Sequence, residues 1–114
     1  MNKKVFKELA SLTKKFYAAG NSRSERVELT TFITGIDNGA VCTYHAQKTE
    51  EISALLKSGD APKAASELER LRDVLLKEFK KAQQLFPHRP ELHDEKFFQT
   101  AFYLKKIATI QKML

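Results

Sequence analysis

Apolar positions in this chain recur at three-to-four spacing through most of its length, the period of helices that each bury one face. Val5, Phe6, Leu9, Leu12, Phe16 and Tyr17 form the first stripe, and Gly20-Asn21 supplies a stop, predicting a helix over about 2–19. A second start lies at Ser22-Arg23-Ser24-Glu25, where Ser22 and Glu25 have capping-box spacing. Leu29, Phe32, Ile33 and Ile36 form its stripe. At Asp37-Asn38-Gly39 the phase changes. Beyond it Val41, Tyr44, Ile52, Leu55 and Leu56 form a stripe rotated by roughly a quarter-turn or more, which predicts a third helix over about 40–57.

Ser58-Gly59 is a suitable exit, and Asp60-Ala61-Pro62 an equally suitable restart, with an N-cap acid and a proline in the first turn. The helix that follows, about 61–86, has the broadest apolar arc, with Leu68 and Phe79 near its middle. Pro87 and Pro90 bracket a turn before a last helix over about 91–113. That helix is apolar on more than one face. Phe97, Ala101, Leu104 and Ala108 lie on one, and Tyr103, Ile107, Ile110 and Leu114 on another.

These elements predict a compact all-α bundle of four to five helices with short connections, forming a single helical domain over 1–114. The competing architecture is α+β, with a β-hairpin at about 27–46. Val27–Thr34 is rich in β-branched residues, Val41–His45 could return, and Asn38-Gly39 is a favoured hairpin turn. Strict alternation breaks at Thr30-Thr31 and Phe32-Ile33, whereas the 29/32/33/36 spacing holds, so helix is favoured.

Composition adds a sign to this picture. The 114 residues carry a net charge of +6, with 42% hydrophobic and 30% charged side chains, a globular balance. The charge is uneven. Residues 1–28 hold seven Lys or Arg against three Glu, residues 29–60 two against four acids, and residues 61–114 eleven against seven. No apolar run is long enough to span a membrane, and no apolar core follows the basic start Met1-Asn2-Lys3-Lys4. With one cysteine, Cys42, no intrachain disulfide can form, and a reducing, cytoplasmic compartment is expected.

Four clusters carry chemistry worth weighing. Phe32-Ile33-Thr34-Gly35-Ile36-Asp37-Asn38-Gly39 resembles, over eight residues, the first strand of retroviral-integrase-like nucleases, which implies Asp37 as a Mg²⁺ ligand. That fold needs further strands and later carboxylates, and residues 49–114 read as helix, so Asp37 is read as a turn or cap residue. Cys42-x-x-His45 sets a thiol one helical turn from an imidazole, but sequence shows no orienting third group. His88-Arg89-Pro90-Glu91-Leu92-His93-Asp94-Glu95 gathers metal-ligand types without the spacing of a zinc pair, and its acids suit a first helical turn. Arg72 falls mid-arc between Leu68, Leu76 and Phe79, so it must pair, with Glu28 and Asp37 as candidates, or snorkel to the rim.

The clearest functional signal is on the first helix, where Lys3, Lys4, Lys7, Lys14 and Lys15 lie opposite the apolar stripe and could follow phosphates. The expected function is a small basic, non-enzymatic binding protein, nucleic-acid-associated or regulatory, with no catalytic residues, metal, cofactor or membrane partner. The alternative is a protein-binding adaptor, inhibitor or chaperone using Tyr103, Ile107 and Ile110 as its interface. That second apolar face also predicts a homo-oligomer, a symmetric dimer by default.

Overall fold

The computed structural model describes residues 3–20, 38–85, 88 and 100–114. Four helices take up nearly all of them: α1 (Lys3–Gly20), α2 (Asn38–Lys57), α3 (Ala61–Leu85) and α4 (Thr100–Met113). No strand occurs among the described residues. Val41–His45, the returning strand of the hairpin alternative, are helical, which excludes that hairpin. Asn38 and Gly39, read from the sequence as the end of the preceding helix, are the first residues of α2. Glycine's helix penalty belongs to interior positions, and the first N–H groups of a helix have no intrahelical acceptor in any case. The predicted helix at 22–37 and the first turns of the predicted last helix, 91–99, lie outside the described residues.

The turn between α2 and α3 is built residue by residue from its sequence. Gly59 takes φ +89°, the left-handed value that glycine adopts without penalty. That bend lets Gly59 N–H reach the Leu56 carbonyl at 3.2 Å and Asp60 N–H reach Leu55 at 2.9 Å, a Schellman closure. Asp60 then opens the next helix, its carboxylate accepting from Lys63 N–H at 3.2 Å and its carbonyl from Ala64 N–H at 3.1 Å. Asp60 thus closes α2 and starts α3, and the contact of His45 near the start of α2 with Glu78 late in α3 shows the two helices to be antiparallel.

Cross-helix pairs fix the remaining directions. Lys57 lies over Phe6, Thr13 meets Thr49, and Phe16 meets His45, so α1 and α2 are antiparallel. Glu8 meets Lys106 and Lys15 lies by Phe102, so α1 and α4 are antiparallel too. Gln111 Nε2 donates to Glu69 Oε2, bringing the end of α4 beside the start of α3. The principal contacts run α1–α2–α3–α4 and close from α4 back to α1, a four-helix up-down ring.

Every helix feeds one core. Val5, Leu9, Leu12 and Phe16 come from α1, Ala64, Leu68, Leu71 and Leu75 from α3, and Tyr103, Ile107 and Ile110 from α4. The α1 stripe is the expected one, with Phe6 and Tyr17 half-buried at its edges. On α2 the buried stripe is His45, Ala46, Thr49, Ile52 and Leu56, whereas Tyr44 is 54% exposed and Val41 only half-buried. The apolar pattern misplaced this face because two of its members are polar. Thr49 is satisfied locally: its hydroxyl lies 2.7 Å from the Ala46 carbonyl and 2.6 Å from Thr13 Oγ1, which is 2.9 Å from the Leu9 carbonyl. Two hydroxyl protons serve these three contacts, so one hydroxyl donates to the other and the second to its own helix.

Leu68 is fully buried mid-way along α3, as expected; the Phe79 side chain lies outside the described residues. Leu68→Ala should cost about 2–5 kcal/mol of stability. Urea denaturation checks it, and a loss below about 0.5 kcal/mol, the level of an ordinary surface substitution, would show that α3 is not central.

Candidate functional site

Burying Val5, Leu9, Leu12 and Phe16 turns the opposite side of α1 to solvent. Lys3, Lys4, Lys7, Lys14 and Lys15 all lie there and are exposed. At 100° per residue they occupy an arc of about 120°, and at 1.5 Å per residue the row from Lys3 to Lys15 is about 18 Å long. The sequence-predicted residues therefore do form one surface.

The ring topology extends it. Because α4 packs along the α1 edge that carries Glu8 and Lys15, the lysines of α4 stand next to those of α1. Lys105 and Lys112 are exposed, and Lys106 reaches across to Glu8 at 2.7 Å. Phe102 sits half-buried between the helices, with Lys15 Nζ 5.6 Å and Lys106 Nζ 5.8 Å from its ring centre. These α4 residues were missed in the sequence reading, although a signal was present: Thr100–Met113 contains three lysines and no acid.

Glu8 is the one acid on α1 and α4. The hydrogen bond from Lys106 holds its carboxyl below the ordinary glutamate range, with the charges of Lys106, Lys4 and Lys7 adding to the effect against some desolvation. It stays ionised, and it is spent on Lys106. Together α1 and α4 carry eight lysines against this single glutamate, whereas α2, the turn and α3 carry eight basic against seven acidic residues. Among the described residues, the excess charge is thus concentrated on one side of the bundle.

The proposed protein interface requires correction. Tyr103 is 3% exposed, and Ile107 and Ile110 are completely buried. The Tyr103 ring stacks on Phe16 at 4.2 Å, and burial pushes its phenol up from the ordinary range. This second face of the last helix is the one turned into the bundle, so it supplies no surface for a partner and no reason for a dimer. Arg72 is at the rim, its side chain 40% exposed, with Nη1 3.6 Å from Glu69 and 4.0 Å from Asp73. Its other candidate partners, Glu28 and Asp37, lie outside the described residues.

At the opposite side, Cys42-x-x-His45 acquires the neighbour that sequence could not show. His45 is 3% exposed, and its Nε2 lies 2.9 Å from Glu78 Oε1 on α3. A carboxylate accepts, so Nε2 carries the proton and donates it; Nδ1 has no hydrogen-bond partner among the described residues. The resemblance to a nucleophile–base–acid series ends at the thiol. Burial, and secondarily the Glu78 charge, push Cys42 up to about 11, the reverse of what an activated cysteine requires. No cluster of three or more His, Cys, Asp or Glu among the described residues is arranged to hold a metal ion. No described helix is long and apolar enough to cross a membrane. His88 is exposed, and its predicted companions at 91–95, like Asp37, lie outside the described residues.

No family model, curated protein or solved structure matches this chain. The α1–α4 face is accordingly taken on its own chemistry.

Two outcomes test the buried cluster. Glu78→Ala should lower stability by about 1–3 kcal/mol in urea denaturation, because it strips a buried imidazole of its hydrogen bond. With a thiol near 11 rather than the usual 9, alkylation of Cys42 in the folded protein should be slowed roughly a hundredfold at neutral pH. Its rate should keep climbing with pH toward about 11, and unfolding should restore ordinary reactivity. A folded-state rate profile with its midpoint near 9 would refute the burial argument.

Proposed function

We propose that this is a non-enzymatic binding protein whose α1–α4 face holds a nucleic acid through its phosphates. One observation carries the reading. Two neighbouring helices expose lysines along their outer arcs, and the only carboxylate on either helix is already engaged by Lys106. Such a face attracts an array of phosphates strongly at low ionic strength, and binding is driven by release of the counterions that the phosphates held.

The adaptor alternative depended on Tyr103, Ile107 and Ile110, which are spent on the core. A thiol-based enzyme at Cys42 finds its cysteine protonated. Exposure of Lys3, Lys4, Lys7, Lys14 and Lys15 supports the lysine-face reading. A regulatory role in a reducing, cytoplasmic setting fits the same reading.

Lys7, Lys14 and Lys105 are exposed and take no part in the core, so changing all three to Gln should leave the urea midpoint almost unchanged. The slope of log affinity against log salt should flatten by roughly two to three units, close to one per phosphate contact removed. Fluorescence anisotropy with labelled DNA and RNA provides the measurement. Absence of binding by the wild type at about 50 mM salt, where phosphate contacts are strongest, would end the nucleic-acid reading.

A further inference from the structure

We infer that the α1–α4 face reads the charge lattice of a duplex backbone and not its bases. The inference rests on the function proposed above and narrows its ligand to double-stranded nucleic acid bound without sequence preference.

The residue types decide between reading bases and reading charge. Base-edge recognition relies on forked or two-ended groups, above all Arg to guanine and Asn or Gln to adenine. Every basic side chain on α1 and α4 is a lysine. A lysine ammonium is a compact point charge on a flexible stem, able to neutralise a phosphate in many orientations but unable to form the planar two-point contact that discriminates a base. The only Gln on either helix, Gln111, is turned toward α3, where it donates to Glu69. The described residues of α1 and α4 thus offer charge and no base reader.

Single strands are held differently, by aromatic platforms on which successive bases stack. None is offered by the described residues of α1 and α4. The aromatic side chains of α1 and α4 are Phe6, Phe16, Tyr17, Phe102 and Tyr103, and every one is buried or half-buried. Phe102, the ring closest to the lysines, is engaged with Lys15 and Lys106 and meets Tyr103 edge-on at 5.8 Å. Among the described residues, the exposed aromatic is Tyr44, on α2.

Geometry favours the stiffer ligand. The exposed lysines stand on two helices locked antiparallel by the core, so their spacing is set before binding. The row on α1 alone is about 18 Å long, and B-form DNA carries about one charge per 1.7 Å of axis, or roughly ten phosphates over that length. A duplex presents them in a fixed lattice. A single strand must be straightened to do so, and it begins with fewer condensed counterions to release.

The test uses the intact protein and four probes at equal salt: an A·T-rich duplex, a G·C-rich duplex of equal length, one of the component single strands, and inorganic polyphosphate as competitor. The two duplexes should bind within about threefold of each other, and the single strand at least about tenfold more weakly. Polyphosphate, which has charge but no bases, should displace the duplex. A preference above tenfold for one duplex, or a single strand bound as tightly as a duplex, would overturn the inference while leaving the basic-face reading standing, whereas failure of polyphosphate to compete would overturn both. If none of the probes binds at low salt, both fall together. A variant carrying Lys7→Arg and Lys112→Arg separates charge from geometry. Retained affinity within about threefold, still without duplex preference, supports charge reading, whereas a tenfold loss overturns it.

Discussion

The ring of Phe16 ties three helices together. It stands 4.2 Å from Tyr103 on α4 and 5.4 Å from His45 on α2, while its own helix provides the core stripe that meets both. Four amphipathic helices joined in sequence could close in more than one order. An aromatic stack between α1 and α4 favours the closure in which the first and last helices are neighbours. The Glu8–Lys106 contact at 2.7 Å then pins the outer edge of the same pair. The make-up of the lysine-bearing side follows from that adjacency, since it sets the α4 lysines beside the α1 lysines.

The opposite wall shows how a polar core position is tolerated. His45 and Thr49 occupy two of the inward places on α2, and each finds a partner: Glu78 from α3 for the imidazole, Thr13 and the Ala46 carbonyl for the hydroxyl. These contacts are directional, unlike the surrounding leucines and isoleucines, and they fix α2 against α1 and α3 in one rotation. The tight junction at Gly59-Asp60 serves the same end. Only Ser58–Asp60 join the two helices, and Asp60 belongs to the hydrogen-bond systems of both, which leaves α2 and α3 little slack through which to slide.

Much of this was legible in the chain. The α1 stripe, the stop and restart at Ser58–Pro62 and the central place of Leu68 follow from local rules, because capping chemistry and a strong 3.6-residue period need no knowledge of neighbours. The α2 face was not legible. Its pattern is weak, and the positions that look buried by hydrophobicity, Val41 and Tyr44, lose their place to His45 and Thr49, whose burial depends on side chains more than thirty residues away. The same limit applies to α4. Sequence showed two apolar faces without showing that the Tyr103–Ile107–Ile110 face was the inward one. The basic surface was half visible: periodicity placed five lysines on one side of α1, but only the closure of the ring could add those of α4.

Segregating charge in this way gives the described residues a dipole as well as a net positive charge. Among the described residues, the α1–α4 side carries nearly all the excess positive charge, while α2 and α3 carry acids and bases in almost equal number. In the field of an anionic surface such a body experiences a torque before it makes contact, and it turns its lysine side forward as it approaches. Fewer encounters are then wasted on wrong orientations. The arrangement of the helices therefore acts on the speed of association, separately from how tightly the final contacts hold, and added salt would weaken this orienting effect before it removed the contacts themselves.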